Sequence, residues 1–145
     1  MWNRWDMATV RQILTQDIEF RGSIGLSTTG HDGFIEYMNI IRAAFPNFHN
    51  EIEAIVAEGE HAAARLTYTG THEGELLGIA ATRQKVSYAG AAFFTFHDNR
   101  IAKVWVLGDA LSLMRPDRGH RRVSKYRIAG CIGGSPVNLS ETFLA

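Results

Sequence analysis

The sequence predicts an α+β fold, in which helices pack on a mostly antiparallel sheet. Apolar residues recur at helical spacing as far as Phe45, and Pro46 ends that pattern. From Phe48 onward the apolar period is that of strands, and short turn sequences separate one strand from the next. Helices that precede a meander of long strands are typical of the α+β class.

The two predicted helices lie at the start of the chain. The first covers about residues 6–14, after a short helical turn, and Asp6 or Thr9 is its candidate N-cap. The second covers Gly30–Phe45, because apolar residues recur there at i, i+3, i+4, i+7 and i+11 before Pro46. We expect the apolar face of this second helix to pack on the sheet.

Between the two helices the pattern is shorter and less regular. Residues 17–20 are a candidate for a short strand. Residues 24–30 contain glycine and serine beside two threonines, and this composition predicts a loop.

The four long predicted strands form two hairpins. The first hairpin turns at Glu58-Gly59-Glu60 and the second at Asp98-Asn99. Alternation in the second strand places Leu66, Tyr68 and His72 on one face and the threonines on the other. The predicted strands are Phe48–Glu58, His61–His72, Gln84–Phe96 and Arg100–Leu107.

Length and composition exclude several classes of protein. The chain has 145 residues, of which 46% are hydrophobic and 21% charged, as expected for one globular domain. Because 15 basic residues balance 15 acidic ones, no net charge attracts nucleic acid or an anionic membrane. The single Cys131 excludes an intrachain disulfide. No signal peptide is evident and no apolar run approaches the ~20 residues of a membrane span, so we expect a cytoplasmic protein.

Motifs for metal, phosphate or nucleophilic chemistry are missing from the sequence. The six histidines show neither HxH nor HExxH spacing, and GxSxG is absent. The glycines around Cys131 lack the lysine of a phosphate-binding loop. We therefore expect neither a metal site nor a cofactor.

Three phrases stand out in the strand region and just after it. They read GTHEGELLGIAATRQKV at residues 70–86, HDNRIAKVW at 97–105 and DALSLM at 109–114. Together they resemble the phrases of the SnoaL-like polyketide cyclases, a family of the nuclear-transport-factor-2-like (NTF2-like) superfamily. The resemblance implies a cone-shaped fold, in which helices cover the open side of a strongly curved sheet and a ligand lies in the hollow.

The resemblance also implies the domain boundaries. Residues 1–114 match the SnoaL-like domain, with a shortened first helix, because the family has further helical turns before the phrase that here reads WNRWD. Residues 115–145 form a C-terminal extension that is basic at first and then rich in glycine and serine.

Cyclases of this family close a ring by intramolecular aldol condensation without a metal or cofactor. A carboxylate on the last strand moves the proton, and a histidine on the preceding strand helps to stabilise the enolate oxygen. By this resemblance, the acid position falls at Val106 and the histidine position near Ala92. Both residues are apolar here, which argues against the family's ring closure in this protein.

Two ionisable residues remain in the family phrases as candidates for catalysis. His72 lies in the GTH phrase, and Asp109 matches the second aspartate of the family. We predict that they form the acid/base pair if the protein is catalytic. The alternatives are a strand-end histidine bonded to the backbone and an aspartate that caps a terminal helical turn.

The face assignments predict an apolar ligand pocket inside the cone. Trp2 occupies the position of an aromatic pocket residue in the family, and alternatively anchors the terminus. Tyr37 is expected on the apolar face of the second helix, as a pocket residue or an ordinary core tyrosine. The predicted lining is Trp2, Tyr37, Ile41, Leu66, Tyr68, Tyr88, Ala92, Val104 and Val106.

Two functions of different kinds fit this sequence. The first is a SnoaL-like protein that binds a small hydrophobic molecule, and acts on it as a cofactor-free cyclase, isomerase or hydrolase if it is catalytic. The second is a non-catalytic ligand-binding or dimeric scaffold protein that has lost the catalytic acid at Val106. A carboxylate or histidine buried in the largest cavity favours an enzyme, and an apolar lining favours a binding protein.

Two further expectations concern surfaces. The last strand alternates Val104 and Val106 with Lys103, Trp105 and Leu107, so one of these sets points away from the core. We predict that Trp105 lies on the outer face of the sheet and is covered in a homodimer. We also expect the extension 115–145 to cover the cavity as a lid, the alternative being a disordered tail.

Overall fold

The computed structural model describes residues 1–113 of the protein. A 3₁₀ turn at Trp2–Arg4 begins the chain. The helices are α1 (Met7–Ile13), α2 (Gly30–Ala44) and α3 (Ala110–Leu113). The strands are β1 (Leu14–Arg21), β2 (Ser27–Thr29), β3 (His49–Glu58), β4 (His61–Thr71), β5 (Lys85–His97) and β6 (Arg100–Gly108).

The six strands form one sheet in the order β2-β1-β6-β5-β4-β3. Neighbouring strands are antiparallel, except that β1 runs parallel to β6. The sheet is curled, and α2 packs over its inner face with Phe34, Tyr37, Met38 and Ile41 buried. The predicted α+β fold with a mostly antiparallel sheet is thus confirmed.

The predicted cap of the first helix is confirmed in detail. The Asp6 carboxylate accepts hydrogen bonds from the backbone N–H groups of Ala8, at 3.0 Å, and Thr9, at 3.3 Å. These bonds satisfy donors that have no partner within the helix. The Thr9 hydroxyl also donates to the Asp6 carboxylate, and this bond is the largest cause that holds the pKa of Asp6 below its ordinary value, with the backbone bonds adding to it.

Residues 24–30 are not entirely a loop, so that prediction is wrong for Ser27–Thr29. These residues form β2, which pairs with β1 through Phe20 and Thr28 and the positions on either side. The β-branched threonines favour an extended backbone once a partner strand is present. β1 is also longer than the predicted 17–20, because it extends from Leu14 to Arg21.

Both predicted hairpin turns are present. Glu58 pairs with His61 around Gly59, whose φ of 55° is one that glycine adopts without strain. His97 pairs with Arg100 across Asp98-Asn99, and both turn residues have positive φ. Two successive positive φ values give the turn whose twist matches that of the strands it connects.

The long connection between β4 and β5 is fastened to the end of α2. The backbone N–H groups of Glu73 and Gly74 donate to the carbonyl of Ala44 at 2.9 and 3.1 Å. Further along, Leu76 and Ile79 form a small bridge around Leu77 and Gly78, which both have positive φ. The GTHEG part of the sequence therefore connects the sheet to the C-terminus of α2.

The extension predicted at residues 115–145, together with its role as a lid, lies outside the described residues. Within residues 1–113, no helix is long and apolar enough to cross a membrane.

Candidate functional site

An apolar cavity lies between α2 and the inner face of the sheet. The space that the centre of a water molecule can occupy inside it is about 50 Å³. This is several times the volume that a single water requires. Its lining is Met1, Trp2, Leu14, Phe20, Ser23, Phe34, Tyr37, Ile41, Phe48, Asn50, Leu66, Tyr68, Ala92, Phe94, Val104 and Val106.

Every predicted lining residue except Tyr88 contacts this cavity. Tyr88 is buried behind the wall, where its ring lies 5.0 Å from that of Tyr68, its partner across β4 and β5. The alternation of the strands explains why the predicted residues of β4, β5 and β6 line the cavity, because every second residue of these strands faces the core. The same alternation correctly puts Tyr88 on the inner face, but it does not determine how far along the strand the cavity extends.

The first turn of the chain brings Trp2 into the cavity wall. The Asn3 side chain donates to the carbonyl of Asn50 at 3.1 Å and accepts from its N–H at 2.8 Å. Trp5 Nε1 donates to the carbonyl of Pro46 at 3.1 Å. Since β3 is an edge strand, the Asn3 amide takes the place of a neighbouring strand at this point. The WNRW sequence thus fixes the turn that carries Trp2.

Six of the aromatic rings in the wall contact one another, namely those of Trp2, Phe20, Phe34, Tyr37, Phe48 and Tyr68. The Phe20 ring lies 4.7 Å from that of Phe34 and 4.8 Å from that of Tyr37, both in edge-to-face geometry. The Trp2 ring contacts those of Phe20, Phe34 and Phe48, at centroid distances of 5.7 to 6.5 Å. Edge-to-face contacts at these distances are favourable beyond the area they bury.

Three buried tyrosines supply most of the hydroxyl groups near the cavity. Burial raises the pKa of Tyr37, and it raises the pKa of Tyr68 and Tyr88 well above the ordinary value. Ser23 hydrogen-bonds to the hydroxyls of Tyr37 and Tyr88, which opposes this increase in pKa only in part. All three tyrosines are therefore neutral hydrogen-bonding groups at neutral pH.

Two glycines make room for these tyrosine rings. A Cβ at Gly22 would come within 2.0 Å of the Tyr37 ring, and one at Gly90 within 2.4 Å of the Tyr68 ring. The tyrosines cross the backbone at these positions, where any side chain would displace them.

Asn50 is a polar lining residue that sequence reasoning missed. It is 9% exposed, and its side-chain oxygen has no hydrogen-bond partner among the described residues. The signal was present in the sequence, because Asn50 has the same parity as Phe48 and Ile52 at the start of β3. A polar residue between two inward-facing apolar residues indicates a buried side chain that needs a partner.

The structure does not bring His72 and Asp109 together. The ring of His72 is buried against Phe45, at a centroid distance of 5.2 Å, and its Nδ1 lies 3.2 Å from the Thr82 hydroxyl. The Asp109 carboxylate accepts from the backbone N–H of Ser112 at 3.1 Å and caps α3. Neither side chain lines the cavity.

Backbone hydrogen bonds fix the separation of these two residues. The His72 N–H donates to the carbonyl of Gln84, and the Asp109 N–H donates to that of Ala89. Five residues of extended chain separate these acceptors by about 17 Å. His72 faces the core as predicted, yet it lies beyond the end of the cavity and holds the β4–β5 connection in place.

Val106 and Ala92 are directly opposite each other on β6 and β5, and both line the cavity. By the family resemblance, these are the positions of the catalytic acid and its histidine. Their side chains leave this part of the wall without a proton donor or acceptor. Among residues 1–113, no cluster of three or more histidine, cysteine or acidic side chains has the geometry of a metal site.

Comparison with known proteins gives a consistent result. The family model for SnoaL-like polyketide cyclases matches residues 1–116. Among solved structures, AclR from Streptomyces galilaeus, a candidate hydroxylase, is 30% identical over 78% of this chain and 71% of its own, with a TM-score of 0.66. TsrD from Streptomyces laurentii is 23% identical over 77% of this chain and 82% of its own, with a TM-score of 0.70.

A SnoaL-like polyketide cyclase from Agrobacterium tumefaciens is 20% identical over 77% of this chain and 85% of its own, with a TM-score of 0.68. No protein of curated function gives a significant match. The two structures with identities below 25% show the fold alone, whereas the family model covers most of the chain. The chain therefore has the NTF2-like fold and belongs to the family of SnoaL-like polyketide cyclases.

Proposed function

We propose that the protein binds a small hydrophobic molecule in its aromatic cavity and does not carry out the aldol ring closure of its family. The observation that carries this proposal is the lining, in which residues 1–113 place no carboxylate and no imidazole side chain. Aldol chemistry requires a group that removes a proton from carbon near neutral pH. At the two positions where the family has such groups, this chain has Val106 and Ala92.

A cofactor-free cyclase or isomerase is the second candidate, and the buried tyrosines favour it. The neutral hydroxyls of Tyr37 and Tyr68 can donate hydrogen bonds to a developing enolate oxygen. They cannot act as bases near pH 7, because burial raises the pKa of both. A substrate that carries its own acidic proton would still find stabilising donors in this cavity.

Binding of an apolar probe tests the proposed function. We expect naphthalene to bind the full-length protein and to change the fluorescence of Trp2 in the cavity wall. Ala92→Leu should weaken binding about tenfold or more, because Ala92 lines the cavity and the larger side chain fills part of it.

Ala89→Leu is the matched control, since Ala89 is on the same strand but exposed on the outer face. Calorimetry gives the affinities, and thermal unfolding shows whether each variant is folded. If neither naphthalene nor its hydroxyl derivative 2-naphthol binds the wild type, or if both variants weaken binding equally, the cavity is not the binding site.

We also propose that the outer face of the sheet joins two copies of the chain. The side chains of Phe93, Trp105 and Leu107 are 52%, 41% and 53% exposed, on neighbouring strands β5 and β6. The ring centroids of Phe93 and Trp105 lie 5.8 Å apart, and the Arg21 guanidinium lies 5.1 Å from the Trp105 ring centroid. A contiguous apolar patch of this kind is typical of a protein interface.

Phe93→Glu should convert the dimer to a monomer, because the interface would then bury an unpaired charge. Leu77→Glu is the control, since Leu77 is equally exposed but lies on the β4–β5 connection. Analytical ultracentrifugation at micromolar concentration measures the result. A wild-type protein that sediments as a monomer contradicts the proposal.

A further inference from the structure

Asn50 is surrounded by apolar groups on two sides. One side is the aromatic cavity, and the other is a smaller crevice of about 20 Å³ for the centre of a water-sized sphere. Leu66 and Phe94 line both spaces together with Asn50. The Asn50 side chain is thus a polar group in the wall that separates two apolar spaces.

The side chain of Asn50 has no structural hydrogen bond through its oxygen. Asn3 and Asn47 differ in this respect, because each uses both its amide oxygen and its amide nitrogen. Asn3 bonds to the backbone of Asn50, and Asn47 bonds to Thr71 at 3.0 and 2.7 Å. The bonds that fasten β3 at Asn50 involve its backbone, so they do not depend on its side chain.

A buried acceptor without a partner is unfavourable, and a leucine of similar size would avoid this cost. The amide therefore has no evident role in the folded protein without ligand. A polar group from a molecule in the cavity would supply the missing hydrogen bond. Since the oxygen and nitrogen of an amide differ only by a flip, a hydroxyl group suits either orientation, because it both donates and accepts.

We propose that the Asn50 amide anchors the ligand and selects small aromatic molecules that carry a hydroxyl group. This inference rests on the proposed function, since it requires that the cavity binds a hydrophobic molecule. The aromatic body lies against the rings of the wall, and the hydroxyl reaches Asn50 at the border of the crevice. Selection follows because an analogue without the hydroxyl leaves the amide without a partner.

Two probes that differ only in the hydroxyl test this anchor. Naphthalene and 2-naphthol are titrated into the full-length wild type and into Asn50→Leu, and the ratio of their dissociation constants is compared. We expect the preference for 2-naphthol to fall by about tenfold in Asn50→Leu, because the variant cannot pair with the hydroxyl. Naphthalene itself should bind the variant at least as well as it binds the wild type.

Leu66→Met is the control for a general change in the wall, because Leu66 lines the same two spaces and methionine has a similar volume. We expect it to leave the ratio of dissociation constants unchanged. Asn50→Leu should fold normally, since Asn3 holds the backbone at this position, and thermal unfolding checks this.

The outcomes separate the two proposals. If both probes bind and Asn50→Leu leaves their ratio unchanged, Asn50 is not the anchor, although the proposed function stands. If neither probe binds the wild type, the proposed function fails and the anchor fails with it. A ratio that changes equally in Leu66→Met and Asn50→Leu also overturns the anchor.

Discussion

We expect the protein to remain stable up to about pH 10 and to lose stability steeply above it. The ordinary pKa of tyrosine is about 10, and this value applies to the unfolded chain. In the folded protein, burial raises the pKa of Tyr37, Tyr68 and Tyr88. Above pH 10 the unfolded state therefore releases protons that the folded state retains, and unfolding becomes more favourable as the pH rises.

The expected effect is large because the three tyrosines act together. Tyr68 and Tyr88, whose pKa burial raises most, each contribute about 1.4 kcal/mol of lost stability per pH unit between the unfolded and the folded pKa, so together they contribute about 3 kcal/mol per unit. Tyr37 adds to this loss just above pH 10. A domain of ordinary stability, about 5–15 kcal/mol, loses much of it by pH 12. Urea unfolding at pH 8, 10 and 11 gives the slope, and the tyrosinate absorbance of the three buried tyrosines should appear together with unfolding.

Tyr68→Phe isolates one contribution to this slope. Its pKa is raised by burial and by the nearby Tyr88 and Tyr37, whereas the other two hydroxyls also hydrogen-bond to Ser23. We expect the variant to lose stability less steeply than the wild type above pH 10, by about 1.4 kcal/mol per pH unit, and to differ little below pH 9. An unchanged slope would show that Tyr68 ionises without unfolding.

The inner and outer faces of the sheet were predictable because strand geometry determines them. Leu66, Ala92 and Val106 lie on strands whose alternation is regular in the sequence, and each lines the cavity. The prediction that Trp105 points outward is confirmed for the same reason. That its face joins a dimer stays a prediction.

Features that depend on long-range contacts were not predictable in the same way. Ser27–Thr29 is a strand only because β1 lies beside it, and its own composition indicates a loop. The sequence identifies Asp109 as a candidate residue, but its distance from His72 depends on the register of three strands. The parity of Asn50 indicates an inward-facing side chain, but its position between two apolar spaces depends on contacts with other strands.

The β4–β5 connection owes its shape to contacts of this long-range kind. Gly74 lies against the last turn of α2, where a Cβ would come within 2.1 Å of the Ala43 carbonyl oxygen and 2.8 Å of its carbon. Both are backbone atoms in a helix, so neither can move aside as the end of a flexible side chain would. The N–H of Gly74 also donates to the carbonyl of Ala44, a C-terminal carbonyl of the helix.

Gly74→Ala should therefore destabilise the protein by about 3 kcal/mol or more. The added methyl group forces the connection away from α2, and the bonds from Glu73 and Gly74 to Ala44 are lost with the close packing. Gly78→Ala is the matched control in the same connection, because a Cβ there meets no atom within 4 Å. Its positive φ of 80° still costs about 1 kcal/mol in an alanine.

Urea unfolding at pH 7.5 compares the two glycine variants directly. The difference between them is a lower limit on the cost of the steric contact with Ala43, because Gly78→Ala carries a backbone cost of its own from its positive φ. We expect Gly74→Ala to be the less stable by about 2 kcal/mol, and we expect it to disturb the environment of His72, whose ring lies against Phe45 just beyond α2. If the two variants are equally stable, the connection does not depend on its contact with the helix.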